Sequence, residues 1–133
     1  MDGCVLIRSG DGERGATGVT YAAGVSAGTA GSRGLCLELA SLPPGTVANA
    51  HMHAEHESAA YVLSGELTLR FGGRLEHVVV GRAGDFLYIP AGVPHRPANA
   101  STTDPVVAVL ARTDPNEQES AIAMPELDAL TEE

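Results

Sequence analysis

The stretch Gly84-Asp85-Phe86-Leu87-Tyr88-Ile89-Pro90-Ala91-Gly92-Val93-Pro94-His95, continuing through Arg96-Pro97-Ala98 to Asn99, decides how this chain reads. Residues 85–89 read as a strand, apolar after Asp85. Pro90 and Pro94 lack the amide hydrogen that a strand interior needs, and Gly92 favours a turn, so the chain corners there before presenting His95. Upstream, residues 59–63 are apolar and Ser64-Gly65 turns them into residues 66–71, where Leu67, Leu69 and Phe71 alternate with Glu66, Thr68 and Arg70. Gly72-Gly73 then returns the chain into residues 75–80, which predicts a hairpin. Downstream, residues 105–111 make one more apolar run.

Further out the same punctuation continues. Residues 4–8 and 19–23 read as strands, and the Gly/Ala/Ser stretch up to Gly31 reads as a mobile loop. Leu35, Leu37 and Leu39 alternate with Cys36, Glu38 and Ala40 at the period of a half-buried strand. Leu42-Pro43-Pro44-Gly45 is a turn. Residues 124–130 predict a short helical turn in an acidic tail that begins at Asp114 and is expected to be mobile. Many short strands separated by Gly/Pro turns indicate an all-β sandwich or barrel.

The 133 residues suffice for one domain with a core. With 17 acidic against 8 basic residues, a net charge of −9 and no basic stripe, a nucleic-acid or anionic membrane partner is disfavoured. All the basic residues are Arg, so lysine Schiff bases, covalent pyridoxal phosphate and a P-loop lysine are excluded. Cys4 and Cys36 are not spaced as a CxxC pair, no apolar run reaches the length of a membrane span, and the N-terminus lacks the pattern of a signal peptide. A cytoplasmic setting is expected.

Five histidines stand at 51, 53, 56, 77 and 95. His51 and His53 are two apart, so on a strand both imidazoles leave the same face, a way for a β-protein to offer two ligands to one metal. Five residues separate Gly45 from His51, and Glu57 follows His53 with three residues between them. In the second half, Gly84, Pro90, Gly92, His95 and Asn99 fall at the spacing G-x5-P-x-G-x2-H-x3-N. Over residues 35–112 the chain resembles the cupin superfamily, whose two motifs are G-x5-H-x-H-x(3,4)-E-x6-G and the pattern just quoted. The stretch Tyr61-Val62-Leu63-Ser64-Gly65-Glu66 is similar to the family as well. The resemblance implies a double-stranded β-helix, or jelly-roll, barrel at 35–112. Strands and a loop at 1–34 precede it, able to serve as an exchanged element in a dimer, and an irregular or helical tail at 113–133 follows.

The first motif departs from the pattern. Seven residues separate Glu57 from Gly65 where the family has six, so counting back from the hairpin places the glutamate position at Ser58. One residue reverses the face of a strand. Three arrangements follow. A β-bulge turns Glu57 inward to complete a set with His51, His53 and His95; or the set is three histidines with Ser58 beside them; or His56 swings in as a fourth imidazole.

The resemblance further implies one divalent ion per chain (Fe, Mn, Ni, Zn or Cu) and a small-molecule substrate such as an organic acid, sugar derivative or thiol. It implies a metal-dependent enzyme, a dioxygenase first, an isomerase second, with decarboxylation also in range. The alternative is a metal- or ligand-binding module without turnover. A storage-type or structural cupin would have no need to keep the imidazoles together, and the regulatory cupins usually carry a helix-turn-helix segment that this chain lacks. Small cupins commonly form homodimers. Tyr88, Phe86 and Cys36 are pocket candidates by position, followed by Tyr21, Glu38, Tyr61, Arg70 and Asn99. Asn99 is expected to hold a turn, Asp85 to cap the Gly84 turn, and His77 to lie at the surface.

Overall fold

Inward and outward residues alternate along residues 36–42, 58–63, 66–70, 86–89 and 106–109, and strands of this kind build two facing antiparallel sheets. The computed structural model describes residues 3–10, 12–14, 18–116 and 120–130. Strands β1 (Glu13–Arg14), β2 (Thr20–Val25) and β3 (Cys36–Leu42) enter first, with a short helix α1 (Ala27–Ala30) between β2 and β3. Then come β4 (His51–Met52), β5 (Ser58–Ser64), β6 (Glu66–Phe71), β7 (His77–Arg82), β8 (Phe86–Ile89), β9 (His95–Ala98) and β10 (Val106–Arg112). A two-residue strand β11 (Ile122–Ala123) and helix α2 (Pro125–Asp128) end the described chain. One sheet has the order β1-β2-β3-β10-β5-β8 and the other β11-β4-β9-β6-β7, a jelly roll of the double-stranded β-helix type.

The hairpin read from Ser64-Gly65 and Gly72-Gly73 forms as expected, with β6 pairing β7 from Glu66↔Arg82 to Phe71↔His77. Gly65 is required at the first turn. Its φ is +82°, and a Cβ there would collide with the Pro105 carbonyl oxygen. Leu67 and Leu69 of β6 point inward to Val62, Val106, Ala40 and Leu42, and Val62 is fully buried.

Two expectations are corrected and one is made specific. Residues 4–8 form no strand. The stretch before Gly31 is not a plain loop: Ser26 and Thr29 make a reciprocal capping box that holds α1, which ends on Gly31 in the left-handed conformation. On β3 the expected alternation is present, and the leucine row takes the outer face. Cys36, Glu38, Ala40 and Leu42 are buried while Leu37 is 43% exposed. The polar pair Glu38 and Arg112 forces this choice, because two charges that satisfy one another can be buried together whereas Leu37 outside costs only exposed apolar area.

The tail contributes to the molecule where it is described. Ala123 pairs with His51, Asp128 Oδ1 accepts from the Ala50 amide at 2.7 Å, and Leu127 packs on Ala50 and Leu75. Part of the tail expected to be mobile, residues 117–119 and 131–133, lies outside the described residues.

Candidate metal centre

Two strands of the five-stranded sheet bring the imidazoles together. His51 on β4 stands directly opposite His95 on β9, and their ring centroids are 4.3 Å apart. His53 leaves the chain just after β4 on the same face, 5.2 Å from His51 and 5.6 Å from His95. All three are buried, and one ligating nitrogen from each lies within 4.8 Å of the others, the only such cluster among the described residues.

Carbonyl oxygens fix the tautomers. His51 Nδ1–H donates to Asn49 O at 2.9 Å and His95 Nδ1–H to Val93 O at 3.0 Å. A carbonyl can only accept, so each Nε2 keeps its lone pair, the arrangement a metal ligand needs. The turn residues create these contacts: the Pro90–Pro94 corner sets Val93 two residues before His95. Burial, and next to it the neighbouring imidazole of His51, holds His95 down to about 3. Burial lowers His53 to about 4, with His51, His56 and the Arg112 cation adding to the effect. His53 and His95 are therefore neutral at physiological pH, the form that binds metal. By donor type and mutual distance the three residues fit one divalent ion.

The fourth position does not go to Glu57. Its side chain is exposed, its Oε1 accepts from Tyr88 Oη at 2.6 Å, and its amide donates to Thr113 Oγ1. The register shift of β5 against β10 falls at Leu63, away from Glu57, and β5 and β8 pair without interruption from Ser58↔Ile89 to Tyr61↔Phe86, so Glu57 is not turned inward. Ser58 takes the inward position and lines the cavity with the three histidines. His56 is buried and its ring lies 4.7 Å from that of His53, yet it stands outside the cluster. Its Nδ1 faces Asp114 at 3.6 Å and its Nε2 has no partner among the described residues.

The pocket candidates separate by strand parity. Phe86 and Tyr88 point outward on β8, 78% and 61% exposed, and Tyr61 packs on Phe86 outside the barrel. Neither Phe86 nor Tyr88 is in the cavity, because the inner face of β8 belongs to Leu87 and Ile89. Cys36 is buried next to Arg112 but does not line the cavity. Tyr21 does line it. Arg70 sits on β6 opposite Arg96. Asn99 holds its turn, donating to Leu42 O and Asp104 O while its Oδ1 accepts from the Ser101 amide. Asp85 caps the turn through the Arg82 amide, and His77 is exposed beside Glu76. The residue that the sequence reading overlooked is Arg112, although the parity of Val106, Ala108 and Leu110 already places it on the inner face of β10.

The cupin-domain family model matches residues 38–111. The chain belongs to the cupin family. Among solved structures this cupin is similar to an uncharacterized conserved protein with a double-stranded β-helix domain from Klebsiella pneumoniae (TM-score 0.64, 18% identity, 91% of this chain and 85% of that one). It is also similar to an oxalate oxidase (TM-score 0.67, 22% identity, 85% and 57%) and to the Schizosaccharomyces pombe Cnp3 cupin domain (TM-score 0.62, 9% identity, 72% and 61%). The cupin thus spans about three-fifths of the length of the latter two, and these likenesses concern the fold. No curated protein matches the chain.

Proposed function

We propose that this cupin is a divalent-metal enzyme that holds its ion on His51, His53 and His95 and acts on a small metabolite inside the barrel. The observation that carries the reading is the pairing of His51 with His95 at one register position, each Nδ1 tied to a carbonyl. Three protein donors leave several positions of an octahedral ion for substrate or dioxygen. When bound, the ion supplies Lewis-acid chemistry, and redox chemistry if it is iron or copper. Dioxygenation is the first choice and isomerisation the second.

The cavity wall favours one alternative. Apart from the imidazoles it offers Tyr21, Ser58 and Arg112 as its polar groups, few for proton transfer, so a metal- or ligand-binding module without turnover is the second reading. Oxygen uptake by the iron-loaded protein with small acids as substrates would establish the oxygenase, whereas silence would leave the isomerase and the binding module.

The test of the site is stoichiometric. Metal-stripped protein titrated with zinc should take about one ion per chain, His51→Ala and His95→Ala should abolish uptake, and Glu57→Gln should leave it intact. Wild-type protein that holds no metal under metal-replete conditions refutes the reading.

We further propose a homodimer formed through the outer face of the six-stranded sheet, where Leu37, Tyr61, Leu63, Phe86 and Tyr88 are exposed side by side on β3, β5 and β8. A cytoplasmic setting suits two free cysteines, one of them exposed. Among the described residues no helix is long and apolar enough to cross a membrane.

A further inference from the structure

Across the six-stranded sheet the inward residues Cys36, Arg112, Ser58 and Ile89 stand in one cross-strand row, since Arg112 pairs with Cys36 on one side and with Ser58 on the other, and Ser58 pairs with Ile89. Directly opposed residues on antiparallel strands have Cβ atoms about 5 Å apart. Ser58, in the place that counting from Gly65 gives the family's glutamate, is thus the immediate neighbour of a buried arginine. Arg112 Nη2 donates to Glu38 Oε2 at 2.9 Å, and the two side chains are 2% and 1% exposed. Arg112 lines the cavity, yet its Nε–H is buried with no partner among the described residues.

The charges then do not balance. Glu38 and Arg112 cancel. Three imidazoles bound through their lone pairs leave a divalent ion with two positive charges that no carboxylate lining the cavity offsets, Asp114 lying behind His56, in a cavity walled by Leu67, Leu87, Val106 and Leu110. An uncompensated charge in such surroundings is costly, so an anion is drawn in with the metal. The volume limits that anion. The cavity measures about 70 Å3, roughly half of an apolar cavity that takes benzene, which admits roughly three to five non-hydrogen atoms.

We infer that the ligand of this cavity is a short-chain carboxylate that supplies the negative charge a glutamate at Ser58 would have brought, with the Arg112 Nε–H donating to one of its oxygens. This rests on the three-histidine metal site proposed above. The carboxylate is drawn to the ion by charge and oriented by the arginine, and its carbon chain meets the apolar wall. A neutral molecule of the same shape gains only the hydrogen bond.

The experiment measures binding, by calorimetry on zinc-loaded protein, with acetate and its neutral isostere acetamide as probes. Acetate should bind at least roughly tenfold tighter than acetamide, the range of a buried charge-assisted hydrogen bond and above. Two variants remove the cause in different ways. Ser58→Glu provides the charge internally. The double variant Glu38→Met/Arg112→Met removes the donor and both charges together, a replacement that buried ion pairs tolerate. Each should hold zinc at the wild-type stoichiometry and lose roughly tenfold in acetate affinity. Acetate affinity within about threefold of wild type in both zinc-holding variants overturns the assignment to Ser58 and Arg112. Zinc-loaded wild type that binds acetate no better than acetamide overturns the ligand class and leaves the metal site standing. Wild type that takes no zinc overturns both.

Discussion

Acid should destabilise the metal-free protein through its own metal ligands. His53 and His95 titrate near 6.5 in the unfolded chain and are held at about 4 and about 3 in the fold. Their folded pKa values lie below the unfolded one, so between those limits the unfolded state binds more protons and stability rises with pH. The contribution is complete above about pH 6.5 and is lost as pH falls toward 4 and below. At pH 4.5, two units below the unfolded value, each histidine should have cost roughly 2.7 kcal/mol, and the pair on the order of 4 kcal/mol once their mutual coupling is allowed for. Both rings are buried, so solvent screening removes little of this. The assay is urea denaturation followed by circular dichroism, in chelator, from pH 7 to pH 4.5. Carboxylates also titrate in that window, so the quantity to read is the difference from His53→Asn/His95→Asn, which has no imidazoles to protonate at these positions. Wild type should lose more stability than the variant by at least roughly 2 kcal/mol. Equal losses, within about 1 kcal/mol, would refute the reasoning.

Other consequences can be checked with single measurements. Arg112→Met alone removes the cation that faces the buried Glu38 carboxylate and should cost about 3–5 kcal/mol in chemical denaturation, while Glu38→Met/Arg112→Met should cost far less. Gly65→Ala places a Cβ against the Pro105 carbonyl at positive φ and should lower stability by about 1–3 kcal/mol, seen as a drop in Tm. Phe86→Glu, at a position 78% exposed in the single chain, should leave Tm nearly unchanged and shift the protein to monomer in light scattering if the outer sheet face pairs two copies.

Much of the barrel is legible in the sequence because its signals are local. The hairpin follows from Leu67 and Leu69 between two glycine turns, and His95 follows from a proline corner that no strand can cross. What is not legible locally is which face of a strand turns inward. On β3 the leucine row is the more hydrophobic, yet it lies outside because the inner row carries Glu38, whose partner Arg112 is 74 residues away in sequence. A period of two reports alternation, and only the cross-strand partner says which half is buried. α1 escaped for another reason. Its four residues lack any apolar period, and the signal was the Ser26–Thr29 capping box inside a stretch that composition alone marks as loop.

The same parity argument settles how the site differs from the motif it resembles. Counting forward from His53 reaches Glu57 through a segment that is not strand, where residue number carries no face. Counting back from Gly65 first crosses a one-residue register shift against β10 at Leu63, then reaches Ser58 along a stretch of β5 where each step reverses the face and the register to β8 is unbroken. That unbroken stretch from Tyr61 to Ser58 places Ser58 inside beside Arg112 and leaves Glu57 outside on Tyr88. A one-residue shift has therefore exchanged an anion for a hydroxyl at the position nearest a buried arginine. That exchange changes what the cavity attracts: a site with its own glutamate is partly neutralised before any ligand arrives, whereas this one stays cationic when a divalent ion is held. Selectivity in this barrel should accordingly follow the charge of the incoming molecule before its shape.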